Sequence, residues 1–176
     1  MNHVPWKEPE EDLCVVDSTH IKVHRDGANP AQGQSLHAMG RTKGGLNTKL
    51  HVSTDSLSQP QCLILTAGPE ADVSHAPSLI EGSVGTQALM DKAYDSDHLR
   101  GFLKQRGIDA CIPSRSNRIN PIPHDKSLYK KRHIVENFFE KLKRCRRVAT
   151  RYDKTDASFM GFVYAACCVL ALRGQF

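Results

Sequence analysis

Two hydrophobic periodicities succeed one another along this chain, and their order limits what it can fold into. Leu13 to Val23, LCVVDSTHIKV, is rich in β-branched residues and reads as a strand, interrupted by Asp17. Residues Arg25 to Gly45 hold five glycines and one proline among polar residues and read as a long loop. Those glycines match neither a P-loop nor a dinucleotide fingerprint. Asn47 to Thr54 alternates polar and apolar residues and Gln61 to Thr66 is a short apolar run, so three strands can form an antiparallel meander. Asp72 to Glu81 can start a helix, with Pro77 near its first turn. Gln87 to Met90 is a short strand that ends at Asp91. Asp95 or Ser96 can cap a helix to about Arg106, where Gly107 stops it. Asp109 to Pro113 supplies a fifth strand, and Ser114 to Ser127 is a polar, basic loop. Tyr129 to Arg151 reads as one amphipathic helix. After a turn at Tyr152 to Thr155 comes a final apolar helix, capped by Thr155 or Asp156.

Three antiparallel strands followed by helix and strand in alternation is the order of a ribonuclease-H-like α/β fold. The expectation is a mixed five-stranded sheet flanked by helices, in a single domain over residues 1–176. None of the six cysteines is spaced as C-x-x-C, and several lie in apolar runs, as free buried thiols do. The opening MNHVPWKEPEED is polar and acidic, unlike a secretory leader, which points to a reduced, cytoplasmic setting. Phe159 to Leu172 is too short and too rich in Ala and Cys for a membrane span, and is expected to be a buried helix.

The segment Tyr129 to Arg151 holds nine basic and two acidic residues, net +7 against +5 for the whole chain, so the remainder carries −2. Two readings are open: a surface for a polyanion such as nucleic acid, or a solvated helix face. On a helical wheel Ile134, Val135, Phe138, Phe139, Leu142, Cys145 and Ala149 fill one apolar arc. Arg132, Glu136 and Lys143 fall in a narrow stripe beside it, joined by Tyr129 if the helix starts early. One carboxylate is therefore held among cations at the border of the buried face.

Three acidic residues stand out by position: Asp17 within the first strand, Asp91 after the fourth and Glu136 on the long helix. In such a sheet the first and fourth strands are neighbours, and a later helix can pack across them. Hard oxygen ligands of this kind suit Mg²⁺ or Mn²⁺. A pair of such ions, roughly 3.5–4 Å apart, serves phosphodiester chemistry. Each residue also has a plainer use. Asp91 can belong to a polar turn, and Glu136 can pair with Arg132 at i,i+4 for a few tenths of a kcal/mol, about 0.2–0.5. Asp17 is harder to explain away, because a carboxylate in an apolar strand is costly to bury without a partner. His20 and His24 alternate to the face opposite Asp17, which argues against a zinc site with it.

The spacing Tyr129-x2-Arg132-x3-Glu136-x6-Lys143 resembles the Y-R-E-K signature of DDE-type transposases of bacterial insertion sequences. The resemblance runs over nearly the whole chain. VDSTHIKVHR is similar to the segment bearing the family's first Asp, GRTKGGLNTKLHV to the strands that follow, LMDKAYDSDHLRGFLKQRGIDACIPSR to the segment with its second Asp, and ENFFEKLKRCRRVATRYDK to the helix with its Glu. The resemblance implies that Asp17, Asp91 and Glu136 hold two divalent ions, Mg²⁺ or Mn²⁺. It further implies that a metal-bound water cuts DNA at the transposon end and that the freed 3′-hydroxyl attacks target DNA. Tyr129, Arg132 and Lys143 match positions that in the family contact DNA, and Arg144, Arg146, Arg147 and Arg151 can widen that contact. The family also implies a homodimer on paired ends and action on nucleoid DNA.

Only sixteen residues precede Asp17, too few for the helix-turn-helix that full-length relatives carry. The expectation is therefore a catalytic domain without its end-recognition module, made as the downstream frame of a frameshifted element beside an upstream-frame product, or left as a truncated remnant. Two alternatives stay open: a nuclease of the same fold, and a non-catalytic DNA-binding fragment that regulates a full transposase.

Overall fold

The computed structural model describes residues 12–27, 37–81, 83 and 85–176, and the opening acidic segment and much of the glycine-rich loop lie outside them. At the centre is strand β1 (Leu13–Val23). Next come β2 (Gly40–Thr42), β3 (Gly45–Thr54) and β4 (Pro60–Ala67). Helix α1 (Ala76–Glu81), strand β5 (Gln87–Leu89), helix α2 (Asp97–Gln105) and strand β6 (Asp109–Cys111) complete the first half. β1 runs antiparallel to β3 and parallel to β5, β3 is antiparallel to β4, and β5 is parallel to β6. The five principal strands thus lie in the order β4-β3-β1-β5-β6, with first and fourth principal strands adjacent, as a ribonuclease-H-like sheet requires.

Two short strands carry no signal in the sequence, and they bring the sheet to seven strands among the described residues. Gly40–Thr42, inside the expected loop, pairs with the start of β3. The connection reverses in two residues, with Gly45 at φ +99, a backbone angle that glycine adopts without steric cost. The second, β7 (Thr150–Arg151), lies parallel to the end of β1.

The period-2 alternation of β1 sets which residues face which layer. Leu13, Val15 and Ile21 point to one side with Leu50 and Val52, and there they meet Val135, Phe138, Leu142, Phe159 and Val163. Cys14 and Val16 point to the other, against Ala76, Leu79, Ile80, Leu99 and Leu103 of α1 and α2. Local signals place the helix ends. The Ser96 hydroxyl accepts from the Leu99 amide at 3.1 Å, and Gly107 stands at φ +69 past the end of α2. α6 (Asp156–Leu172) is capped by Thr155, whose hydroxyl accepts from the Ser158 amide at 3.2 Å. No helix among the described residues is long and apolar enough to cross a membrane.

The expected single helix over Tyr129–Arg151 is instead broken into pieces. α3 (Lys126–Tyr129) passes through a 3-10 turn at Lys130–Arg132 into α4 (His133–Lys143). Cys145 then takes an extended conformation, ψ 105, and accepts from the amides of Val148 and Ala149 to open α5 (Arg146–Ala149). The break lets Thr150 and Arg151 leave the helix and pair with Lys22 and Val23, a gain that wheel periodicity cannot register. The apolar arc persists across the break, with Val135, Phe138, Phe139, Leu142 and Val148 all buried.

Candidate catalytic carboxylate site

Asp17 sits on the α4 side of β1, opposite Val52 of β3. β1 and β5 pair in parallel register as far as Val15 with Leu89. Extending that register by two residues sets Asp17 beside Asp91, where β5 has ended and the chain turns away. Neighbouring strands lie about 4.8 Å apart, so the two carboxylates share one end of the sheet. The sheet opens here: among the described pairings the edge of β1 from Val16 to Ile21 faces neither β5 nor β7.

The Asp17 side chain is only 18% exposed. One of its oxygens accepts from its neighbour Ser18's amide at 2.8 Å, the other from Arg132 Nη1 at 2.7 Å. Burial raises its pKa; the Arg132 charge and the Ser18 amide pull it back, and the Asp91 charge adds to the rise. Asp91 caps the 3-10 turn Lys92–Tyr94, one oxygen accepting from the Ala93 amide at 2.7 Å. Its expected use as a turn carboxylate is therefore real, and it engages only one of the two oxygens. Glu136, on α4, is about half exposed and accepts from Arg132 Nη2 at 2.5 Å.

Arg132 thus joins carboxylates that lie 115 residues apart and 4 residues apart from it in sequence. Burial works most strongly against its charge, but Asp17, Tyr129 and Glu136 together outweigh it and raise its pKa. Tyr129 ends α3 beside this pair. Burial raises its phenol pKa, Arg132 lowers it, and Asp91 and Asp17 raise it. Its ring meets His124 edge-on at 5.4 Å. Lys143 closes α4 at the far end of the stripe, where its ammonium donates to Thr19 Oγ1 at 2.6 Å and to the His20 carbonyl at 3.3 Å. Burial lowers its pKa. The stripe Tyr129, Arg132, Glu136 and Lys143 therefore runs along β1 from Asp17 to His20.

The remaining cations separate. Arg144, Arg146 and Arg147 are exposed. Arg144 pairs with Glu140 at 2.9 Å, and Arg147 pairs with Asp153 at 2.8 Å while stacking on Phe162 at 4.2 Å. Arg151, expected to extend a DNA contact, is fully buried. It donates to Asp156 at 2.7 Å, to the Asp153 carbonyl at 3.0 Å and to Thr48 at 3.2 Å. A side chain spent on joining β7, β3 and α6 cannot reach DNA, so it leaves the candidate surface.

Among the described residues, no three His, Cys, Asp or Glu side chains close on one point as a ready metal cage. The Arg132 guanidinium stands between two members of the set. The donors are carboxylate oxygens, which suits a hard divalent ion, and a positive charge already lies between Asp17 and Glu136. Sequence reasoning missed Ser18 and Thr19, which touch this group, and Asp72, which reaches it through Ser18. The hydroxyls next to Asp17 were a visible signal, whereas Asp72 carried none.

Strand order defines an α/β domain of ribonuclease-H-like fold, in which Arg132 joins a carboxylate from β1 to one from α4. The chain belongs to the Transposase DDE domain family, whose model matches residues 8–171. It is 42% identical over 130 residues to a protein of Brucella ovis named as a transposase for insertion sequence element IS6501, covering 73% of this chain and all of that one. It is 26% identical over 168 residues to another so named for IS402 of Burkholderia cepacia, covering 89% of this chain and 72% of that one. A crystal structure of the Mos1 strand transfer complex aligns with TM-score 0.39 and 13% identity, over 94% of this chain and 53% of that chain.

Proposed function

We propose that this chain is the catalytic domain of a DNA transposase that cuts phosphodiesters at transposon ends and joins the freed 3′ ends to target DNA. The observation that carries the reading is the shared cation. Asp17 and Glu136, from β1 and α4, both bind the Arg132 guanidinium, and the β1–β5 register brings Asp91 alongside. A set that already holds a positive charge between its oxygens is chemically fit for Mg²⁺ or Mn²⁺. Two such ions held by Asp17, Asp91 and Glu136 would supply Lewis-acid activation of the attacking and leaving oxygens.

The chain's own residues do the rest. Arg132 has donors enough to exchange a carboxylate for a DNA phosphate, and its planar fork suits either. Lys143 and Tyr129 bracket it along the stripe, so a backbone lying over α4 meets a donor at each end. Arg144 and Arg147 extend that surface with contacts that position DNA without reading its sequence. The enzyme acts in the cytoplasm on nucleoid DNA, as a homodimer that pairs two ends.

The test is cleavage and joining of a duplex bearing the element's own terminal sequence, in Mg²⁺ and Mn²⁺. Asp17→Asn, Asp91→Asn and Glu136→Gln are each expected to lose strand cleavage while still binding DNA. A variant that cuts like the parent removes its residue from the set. Cutting by the parent with no joining would reassign the chain to a nuclease of the same fold.

A further inference from the structure

Behind the carboxylate site, on the α1 and α2 face of the sheet, lies a second polar group that the proposed chemistry does not use. Asp72 is its hub. Its Oδ1 accepts from the Ser18 hydroxyl at 2.6 Å and lies 3.2 Å from Lys49 Nζ and 3.6 Å from His51 Nδ1. Lys49 and His51 are buried residues of β3. Lys49 also donates to the Glu70 carbonyl, at 2.5 Å, and His51 shares a hydrogen bond with Thr66 at 2.8 Å. Asp72 opens a 3-10 turn, Asp72–Ser74, that packs against the 3-10 turn Lys92–Tyr94. The second turn is the one Asp91 caps, and it sends Tyr94 fully buried toward the same face.

A group like this is costly. Apolar side chains of similar volume would stabilise the layer as well or better. Even so, the Tyr94 hydroxyl and His51 Nδ1 are buried without a hydrogen-bond partner among the described residues. What the arrangement does provide is a fixed link between the two backbone segments that carry Asp17 and Asp91. Ser18 is the connecting residue: its hydroxyl is held by Asp72 on one face, and its amide donates to Asp17 on the other.

We propose that Asp72 and Ser18 are positioning residues for the carboxylate site, setting the Asp17 carboxylate and its distance to Asp91 from the opposite face of the sheet. The proposal rests on the reading of Asp17 and Asp91 as metal ligands. Outer partners of metal ligands typically affect affinity by about 10–100-fold.

The experiment measures binding of Mn²⁺ alone to the full chain by electron paramagnetic resonance, with thermal midpoints as the folding control. Ser18→Ala and Asp72→Ala are expected to weaken Mn²⁺ binding about tenfold or more. Ser18→Thr, which keeps the hydroxyl, is expected to bind close to the parent. If both alanine variants bind like the parent while Asp17→Asn loses binding, the positioning role is refuted and the ligand assignment survives. A Ser18→Thr chain as weak as Ser18→Ala refutes the hydroxyl link. If Asp17→Asn itself binds like the parent, the ligand assignment falls and the positioning role falls with it.

Discussion

Removing Arg132 should destabilise the chain in a way that depends on pH and is offset by metal. In Arg132→Ala the Asp17 carboxylate, 18% exposed, would lose the guanidinium that neutralises it and face Asp91 uncompensated. Breaking a fully buried pair costs about 3–5 kcal/mol and a surface pair about 0–1, so a pair this enclosed should cost about 2 kcal/mol at pH 8. For a domain of this size that is roughly 4–8 °C in thermal midpoint. The sign with pH follows from Asp17. Its folded pKa already lies above its usual value of 3.8, and without Arg132 it rises further. Between the unfolded and folded values the native state holds the extra proton, so stability falls as pH rises through that window. The loss should therefore be small near pH 4 and full at pH 8. Mg²⁺ or Mn²⁺ should restore more of the midpoint in the variant than in the parent, because the cation position is vacated. The assay is thermal unfolding across pH 4–8, with chelator or metal. An equal loss at both ends of the range would trace the effect to packing. No loss at pH 8 would refute the bridge itself.

Two further predictions separate the cations of the α3–β7 region. Lys143→Ala should weaken DNA binding and flatten its salt dependence, the slope falling by about 0.9 for each phosphate that the ammonium neutralises; an unchanged slope would count against a role at phosphate. Arg151→Met should instead cost about 3 kcal/mol in denaturant unfolding, because Asp156 and Thr48 lose a fully buried partner. Its DNA salt slope should match the parent's, and a shallower one would return Arg151 to the interface.

Much of the fold was legible because its signals are local. Ser96 and Thr155 mark helix starts by side-chain chemistry, Gly107 marks an end by its φ, and the alternation in β1 sorts its neighbours into two layers. The fragmentation of Tyr129–Arg151 was not legible. Cys145 and Arg146 are acceptable helix residues, and what breaks the helix is pairing of Thr150 and Arg151 with β1 far away in sequence. Charge behaved similarly. Arg147 and Arg151 look alike in the sequence, yet one is exposed and the other encloses its guanidinium among Asp153, Asp156 and Thr48. The stripe of Tyr129, Arg132, Glu136 and Lys143 was readable from spacing, but the partner that gives Arg132 its place, Asp17, is a contact only the folded sheet can make. Asp72 gave no sign at all, since nothing near it in the chain distinguishes it from an ordinary first-turn acid.

The parallel pairing of β1 with β5 has a consequence for how such a chain can change length. Because side chains alternate along a strand, one residue inserted or deleted between Val15 and Asp17 would turn the carboxylate toward Tyr94 and bring Ser18 to the α4 side. The same slip between Leu89 and Asp91 would swing the second acid, together with the turn it caps, out of register with Asp17. Insertions in the stretch between β6 and α3 leave both spacings intact. Length variation in this architecture is therefore free on the rim and forbidden over two dipeptides, Val16–Asp17 and Met90–Asp91.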